Sequence, residues 1–124
     1  MMSYEDGTSG CSMMSKTPGT IDLVVMSYDR LIDDLKNAMK LHSSSMNDQA
    51  FLKNQHAQDI ITELLLGLDY SNGGQIAGNL SRIYNFALTE LVSFSPNQDT
   101  KIYKDLINIF GSLKEAWMQI NIRN

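Results

Sequence analysis

LDYSNGGQIAGNLSRIYNFALTEL, Leu68–Leu91, joins a glycine turn to a helix. Gly73 and Gly74 supply backbone conformations that cost other residues, so Asp69 to Gly74 reads as a connection. From Gln75 the apolar residues fall at Ile76, Leu80, Ile83, Ala87, Leu91 and Phe94. Steps of three and four make one stripe on a helix ending near Phe94. Ser93–Asp99 stops it, because Pro96 cannot continue a helix and restricts Ser95.

Outward from this stretch the same period recurs. A first helix is expected over Ile21 to about His42, with Thr20 as N-cap and Asp22 in its first turn. Its inner face is Val24, Tyr28, Leu31, Leu35 and Ala38, widened by Val25, Ile32 and Met39. Asp29, Arg30, Asp33, Asp34, Lys36 and Lys40 cover the outside. A second helix is expected from Asn47 or Asp48 to Leu68, facing inward through Ala57, Ile60, Ile61, Leu64, Leu65 and Leu68. A fourth, capped by Asn97 or Asp99, runs to about Ile122 with Ile102, Leu106, Ile109, Leu113, Ala116 and Ile120 inside. No segment alternates as a strand would. Helices of roughly 20 residues, each about 30 Å long, with short connections imply antiparallel neighbours. The expectation is an all-α, up-down-up-down four-helix bundle over residues 20–124, preceded by a flexible N-terminal arm over 1–19. Tyr4 is the arm's only aromatic residue.

A chain of 124 residues makes one domain with a sizeable core. The net charge of −4, with no Lys/Arg cluster, argues against nucleic acid or anionic membrane as partner. No apolar run approaches ~18 residues, so membrane insertion is not expected. The opening residues lack the charged and apolar regions of a signal peptide. Cys11 is the only cysteine, which excludes an intrachain disulfide and suits a reducing cytoplasm.

Catalytic chemistry is hard to place. The Ser, Cys and His residues show no nucleophilic order, and neither His42 nor His56 follows a Glu at the spacing of a di-iron bundle. Gly73–Gln75 precedes a helix, yet it lacks the strand and Lys of a phosphate loop. No metal or cofactor is expected. His56 is the one residue through which a phosphotransfer or regulatory bundle would act; its ordinary reading is a solvated helix histidine.

The apolar arc of the fourth helix spans about 200° at ~100° per residue, whereas a bundle helix needs somewhat over ~100°. Tyr103, Ile107, Phe110, Trp117 and Met118 lie on the surplus side. The third helix is also broad, with Ala77, Tyr84, Leu88 and Val92 beside its stripe. Either these helices are the central pair, or the arm covers them, or the surplus binds an amphipathic partner. On the last reading the contact residues are Tyr84, Leu88, Val92, Tyr103, Ile107 and Phe110, with Tyr4 as a plug on the same surface. Self-association through the broad faces is a further reading.

The wording of four segments resembles the flagellar secretion chaperone FliS family. Leu68, Asp69, Gly73, Gly74, Ile76, Ala77, Asn79, Leu80 and Tyr84 match its Leu-Asp…Gly-Gly-(Glu/Gln)-Ile-Ala…Asn-Leu…Tyr signature. Ala57–Leu64 is similar to its Ala-x-x-Ile-Ile-x-Glu-Leu, Leu23–Asp29 to its Leu-Ile-x-Met-Leu-Tyr-Asp, and Leu113–Trp117 to its Leu-Arg-x-Ala-Trp. Ser27 and Arg30 depart from the family's Leu and Gly, and Thr17–Pro18 lies two residues early for its Ser-Pro. The resemblance implies a non-enzymatic bundle of the bacterial cytoplasm; a monomer or weak homodimer is expected. It would bind flagellin's disordered C-terminal segment, prevent early polymerisation and present it to the flagellar export apparatus.

Overall fold

The computed structural model describes residues 20–123, as four helices: α1 Thr20–Ser43, α2 Asn47–Leu66, α3 Tyr70–Ser93 and α4 Lys101–Arg123. The expected all-α bundle is the fold observed. The N-terminal arm, Tyr4 included, lies outside the described residues. α1 packs along α2 and α4, and α2 packs along α3; α3 and α4 are not a closely packed pair.

The connections are short because each uses local chemistry to stop one helix and start the next. At the α1–α2 corner Met46 N–H donates back to the Leu41 carbonyl (2.8 Å), and Ser45 takes φ 60°. Asp99 Oδ1 accepts from Lys101 N–H (3.0 Å), which satisfies one of the free donors opening α4.

The glycine connection before α3 differs from expectation. Asp69 caps Asn72 N–H (3.1 Å), and a helical turn already begins at Tyr70. Gly74 (φ 50°, ψ −122°) then breaks it, and the long helix follows. Those angles are those of the first central residue of a type II′ turn, a position that belongs to glycine. A Cβ on Gly74 would meet nothing within 4 Å, so the constraint is conformational rather than steric. Gly78 also has open space around a would-be Cβ but sits at ordinary helical angles. Gly74→Ala is therefore expected to cost about 1–3 kcal/mol. Gly78→Ala is expected to stabilise by about 0.5–1 kcal/mol. Urea denaturation of the two variants tests this; equal effects would remove the backbone argument.

The core runs through the middle of the bundle: Tyr28, Leu31, Leu35 and Ala38 of α1, Ala57, Ile60 and Ile61 of α2, Leu80, Tyr84, Ala87 and Leu91 of α3, and Tyr103, Leu106 and Phe110 of α4. The inner faces expected for α1 and α2 are the ones found. The registers of α3 and α4 are rotated from expectation. Ile76, assigned to the inner stripe, is 65% exposed, whereas Ala77 and Tyr84 are buried. On α4, Tyr103 and Phe110 are buried, Ile109 and Leu113 half-buried, and Ala116 and Ile120 exposed. The core keeps Leu80, Ala87 and Leu91 of the expected α3 stripe and Leu106 of the α4 stripe, and adds Ala77, Tyr84, Tyr103 and Phe110 from the side read as surplus, while Val92 and Met118 of that side stay exposed. The reason lies in the neighbours: the large rings of Tyr84, Tyr103 and Phe110 fill the space between helices, and the two hydroxyls need partners that only the interior helices offer.

Two polar residues join that interior. Asn54, 4% exposed, donates from Nδ2 to the Tyr103 hydroxyl (2.7 Å) and accepts from Gln58 Nε2 (2.6 Å). Asp34, expected on the wet face of α1, is 6% exposed and bonds through Oδ2 to His56 Nδ1 across the α1–α2 interface. Its spacing with Leu31, Leu35 and Ala38 already put it at the edge of the inner face. Lys114 pairs with Asp29 (2.5 Å) between α4 and α1, on a surface where such a pair adds little.

Candidate partner-binding groove

Where α3 and α4 diverge, large side chains rather than close backbones fill the gap. The Tyr84 and Phe110 rings stack with centroids 6.2 Å apart, and Phe94 and Tyr103 tilt together at 4.9 Å. Tyr28 of α1 reaches both, at 6.5 Å from Tyr84 and 5.7 Å from Phe110. At one end of this gap lies a groove of about 430 Å³. α1 contributes Leu23, Val24 and Ser27 to it, and the end of α2 contributes Glu63, Leu64 and Gly67. α3 contributes Ile76, Ala77, Leu80 and Tyr84, and α4 contributes Trp117. Most of the wall is apolar. Leu23 and Ile76 stand on it 51% and 65% exposed.

A second cleft, of about 400 Å³, is lined by Ile83, Asn108, Ile109, Ser112 and Leu113. Ile83 lies about two turns beyond Ile76 on α3, and Leu113 and Ile109 lie one and two turns before Trp117 on antiparallel α4. Ile76 and Trp117 of the groove and Ile83, Ile109 and Leu113 of the cleft are thus spaced as one strip along α3 and α4, which the ends of α1 and α2 flank at the groove.

Tyr84 and Trp117, which line the groove, belong to a hydroxyl cluster beneath it. Trp117 Nε1 donates to the Tyr28 hydroxyl (3.1 Å), which also shares a 2.6 Å bond with the Tyr84 hydroxyl. Desolvation by burial raises the ionisation of Tyr28, Tyr84 and Tyr103 above the ordinary tyrosine value of 10.0, most strongly for Tyr84. A folded-state value raised above the unfolded one leaves stability complete below about pH 10 and removes it as pH climbs, because the unfolded chain ionises first. Tyrosinate absorbance and helical circular dichroism are thus expected to change together above pH 10.0. All five tyrosines titrating together near that value with the helices intact would contradict the buried cluster.

Of the residues expected to meet a partner, the structure brings only Tyr84 to the groove, as its floor. Tyr103 and Phe110 are fully buried, so their contribution is to the core. Leu88 and Ile107 are half-buried against that core, Ile107 towards α1. Val92 is 64% exposed but borders a different, small cleft with Phe51 and Phe94. Tyr4 lies outside the described residues. Of the groove residues not expected to meet a partner, Val24, Leu64 and Ile76 are apolar positions of the expected inner faces, and Leu23 belongs to none of those faces. The signal that separates them is position: each lies near the end of its helix, where the bundle has fewest neighbours. His56, the candidate for phosphotransfer, has its Nδ1 engaged by Asp34 and a side chain 50% exposed. That geometry gives it a part in joining α1 to α2. Among the described residues no group of three or more His, Cys, Asp or Glu is placed to hold a metal, and no helix is long and apolar enough to cross a membrane.

Fold and groove together define a helical bundle with an apolar strip that its own helices leave uncovered. The family model described as "Flagellar protein FliS" matches residues 4–124, nearly the whole chain, and the chain belongs to that family. It is similar to the "Flagellar secretion chaperone FliS" of Vibrio cholerae, at 36% identity over 64 residues, 52% of this chain and 47% of that protein. The protein of the same name from Salmonella typhimurium is 33% identical over 58 residues, 47% of this chain and 43% of its own. A "Flagellar secretion chaperone FliSB" of Pseudomonas aeruginosa is 33% identical over 58 residues, covering 47% and 46%. The chain thus spans about half the length of the curated relatives it matches.

Proposed function

We propose that this protein is a flagellar export chaperone of the bacterial cytoplasm. It binds the disordered C-terminal segment of flagellin, keeps it from polymerising and delivers it to the flagellar export apparatus. Family membership and the names of its relatives support the chaperone reading. The observation that carries the mode of binding is the α3–α4 strip that the four described helices leave uncovered, with Leu23 and Ile76 exposed at its groove end.

The physics of such binding is simple. A disordered segment pays for ordering as it binds, so the surface must return that free energy through many apolar contacts. An amphipathic helix laid along the strip would bury its anchors beside Ile76, Ile83 and Leu113, and would supply the packing partner that α3 and α4 do not give each other. Nothing in this mode requires a reacting group. The working species is taken as a monomer, because the strip is then free for the segment. The direct test is titration of a flagellin C-terminal peptide into the purified full chain, followed by anisotropy, with peptide helicity read by circular dichroism. Saturable binding with a gain in helicity is expected; no binding would remove this reading.

A further inference from the structure

The hydroxyl cluster under the groove holds one proton more than it can use. Its three donors are the Trp117 indole N–H and the Tyr28 and Tyr84 hydroxyls. An indole only donates, so Trp117 takes a lone pair on the Tyr28 oxygen (3.1 Å). The single contact between the two hydroxyls (2.6 Å) uses one of their two protons. Neither tyrosine has another hydrogen-bond partner among the described residues, so one hydroxyl proton is left over. Tyr28 is fully buried and does not line the groove, whereas Tyr84, itself only 2% exposed, does. The arrangement that strands no buried donor has Tyr28 donating to Tyr84, and Tyr84 donating into the groove.

We infer that Tyr84 is a specificity-determining donor in the groove floor, and that the bound segment is recognised there through a neutral side-chain oxygen set among its apolar anchors. This rests on the chaperone reading above. The acceptor must come from a side chain, because the carbonyls of a helical segment are mostly consumed by its own backbone bonds. It must be neutral, because the ionisable groups on the groove wall are Glu63 and Asp69 and no Lys or Arg lines it. A carboxylate would meet like charge there. Asn, Gln, Ser and Thr fit. An otherwise apolar groove thereby gains a polar requirement: a segment with a purely apolar residue at that point would leave the Tyr84 proton unpaired.

The test compares the affinity of a flagellin C-terminal peptide for the full-length protein, Tyr84→Phe and Tyr28→Phe. Tyr84→Phe removes the groove proton and is expected to weaken binding roughly three- to tenfold. Tyr28→Phe strands the Trp117 donor and lowers the melting temperature, yet leaves the Tyr84 proton in place, so affinity should stay within about twofold. Replacing each peptide Asn, Gln, Ser and Thr by Ala should then find one whose loss weakens binding to the unsubstituted protein but not to Tyr84→Phe. Unchanged affinity of Tyr84→Phe overturns the inference, as does an equal loss in both variants, which would make the pair structural only. Absence of any coupled peptide residue also overturns it. If the unsubstituted protein fails to bind the peptide, the chaperone reading itself falls, and that result is distinct from all of these.

Discussion

Ile76→Asp is expected to weaken binding of the flagellin C-terminal segment by at least about 30-fold while the bundle stays folded. The side chain is 65% exposed and stands on the groove wall, so the free protein loses little by the change. In the complex the same position loses an apolar anchor, worth roughly 2 kcal/mol when fully buried, or about 30-fold in affinity. It also gains a carboxylate that must be desolvated beside Glu63 and Asp69. Leu52→Asp is the matched control: Leu52 is 63% exposed on α2 and lines no part of the groove. Anisotropy with a labelled peptide, alongside circular dichroism, gives the answer. Equal affinities for the two variants would mean that the segment does not use this strip.

Phe110→Ala tests the other side of α4 and carries the largest expected effect on stability, about 3–5 kcal/mol. Phe110 is fully buried and packs its ring against both Tyr28 and Tyr84. That loss is a third or more of the stability of a typical domain, and lowers the melting temperature on the order of 10–20 °C. Ile109→Ala, one residue earlier, should cost only about 1 kcal/mol, since Ile109 is half-buried beside the strip. The contrast matters because the apolar stripe read from sequence puts Ile109 inside and Phe110 on the surplus side. A larger loss for Ile109 than for Phe110 in urea denaturation would restore that reading and displace the proposed strip to the opposite faces.

The legible and illegible parts divide by the range of the forces that fix them. Helix ends that depend on neighbours in sequence were readable, Asp99 as a cap and Pro96 as a stop; at Gly74 the backbone break was readable, but the helical turn from Tyr70 before it was not. The registers of α1 and α2 were readable because the core-facing residues of each keep one spacing: Tyr28, Leu31, Leu35 and Ala38 on α1, and Ala57, Ile60, Ile61 and Leu64 on α2. The excess apolar arcs on α3 and α4 were visible too, along with their meaning as more than a bundle requires. Which edge of each arc turned inward was not. Both edges are apolar, and the decision rests on contacts between residues far apart in the chain: Tyr28 with Tyr84, Asn54 with Tyr103, Tyr28 with Trp117. Asp34 and Asn54 are polar residues at inward spacing, and they mark where interior hydrogen bonds form.

The sequence alone determined that this chain is a four-helix bundle with too much apolar surface on its last two helices, and its wording pointed to the FliS family. Periodicity and local capping carry that much, since each acts within a few turns of chain. Only the tertiary structure decided that the aromatic edge is core and that the groove opens by Leu23, Ile76 and Trp117. Inward and outward are set by which neighbouring helices can take a buried ring and satisfy its hydroxyl, and a helix read by itself has no neighbours.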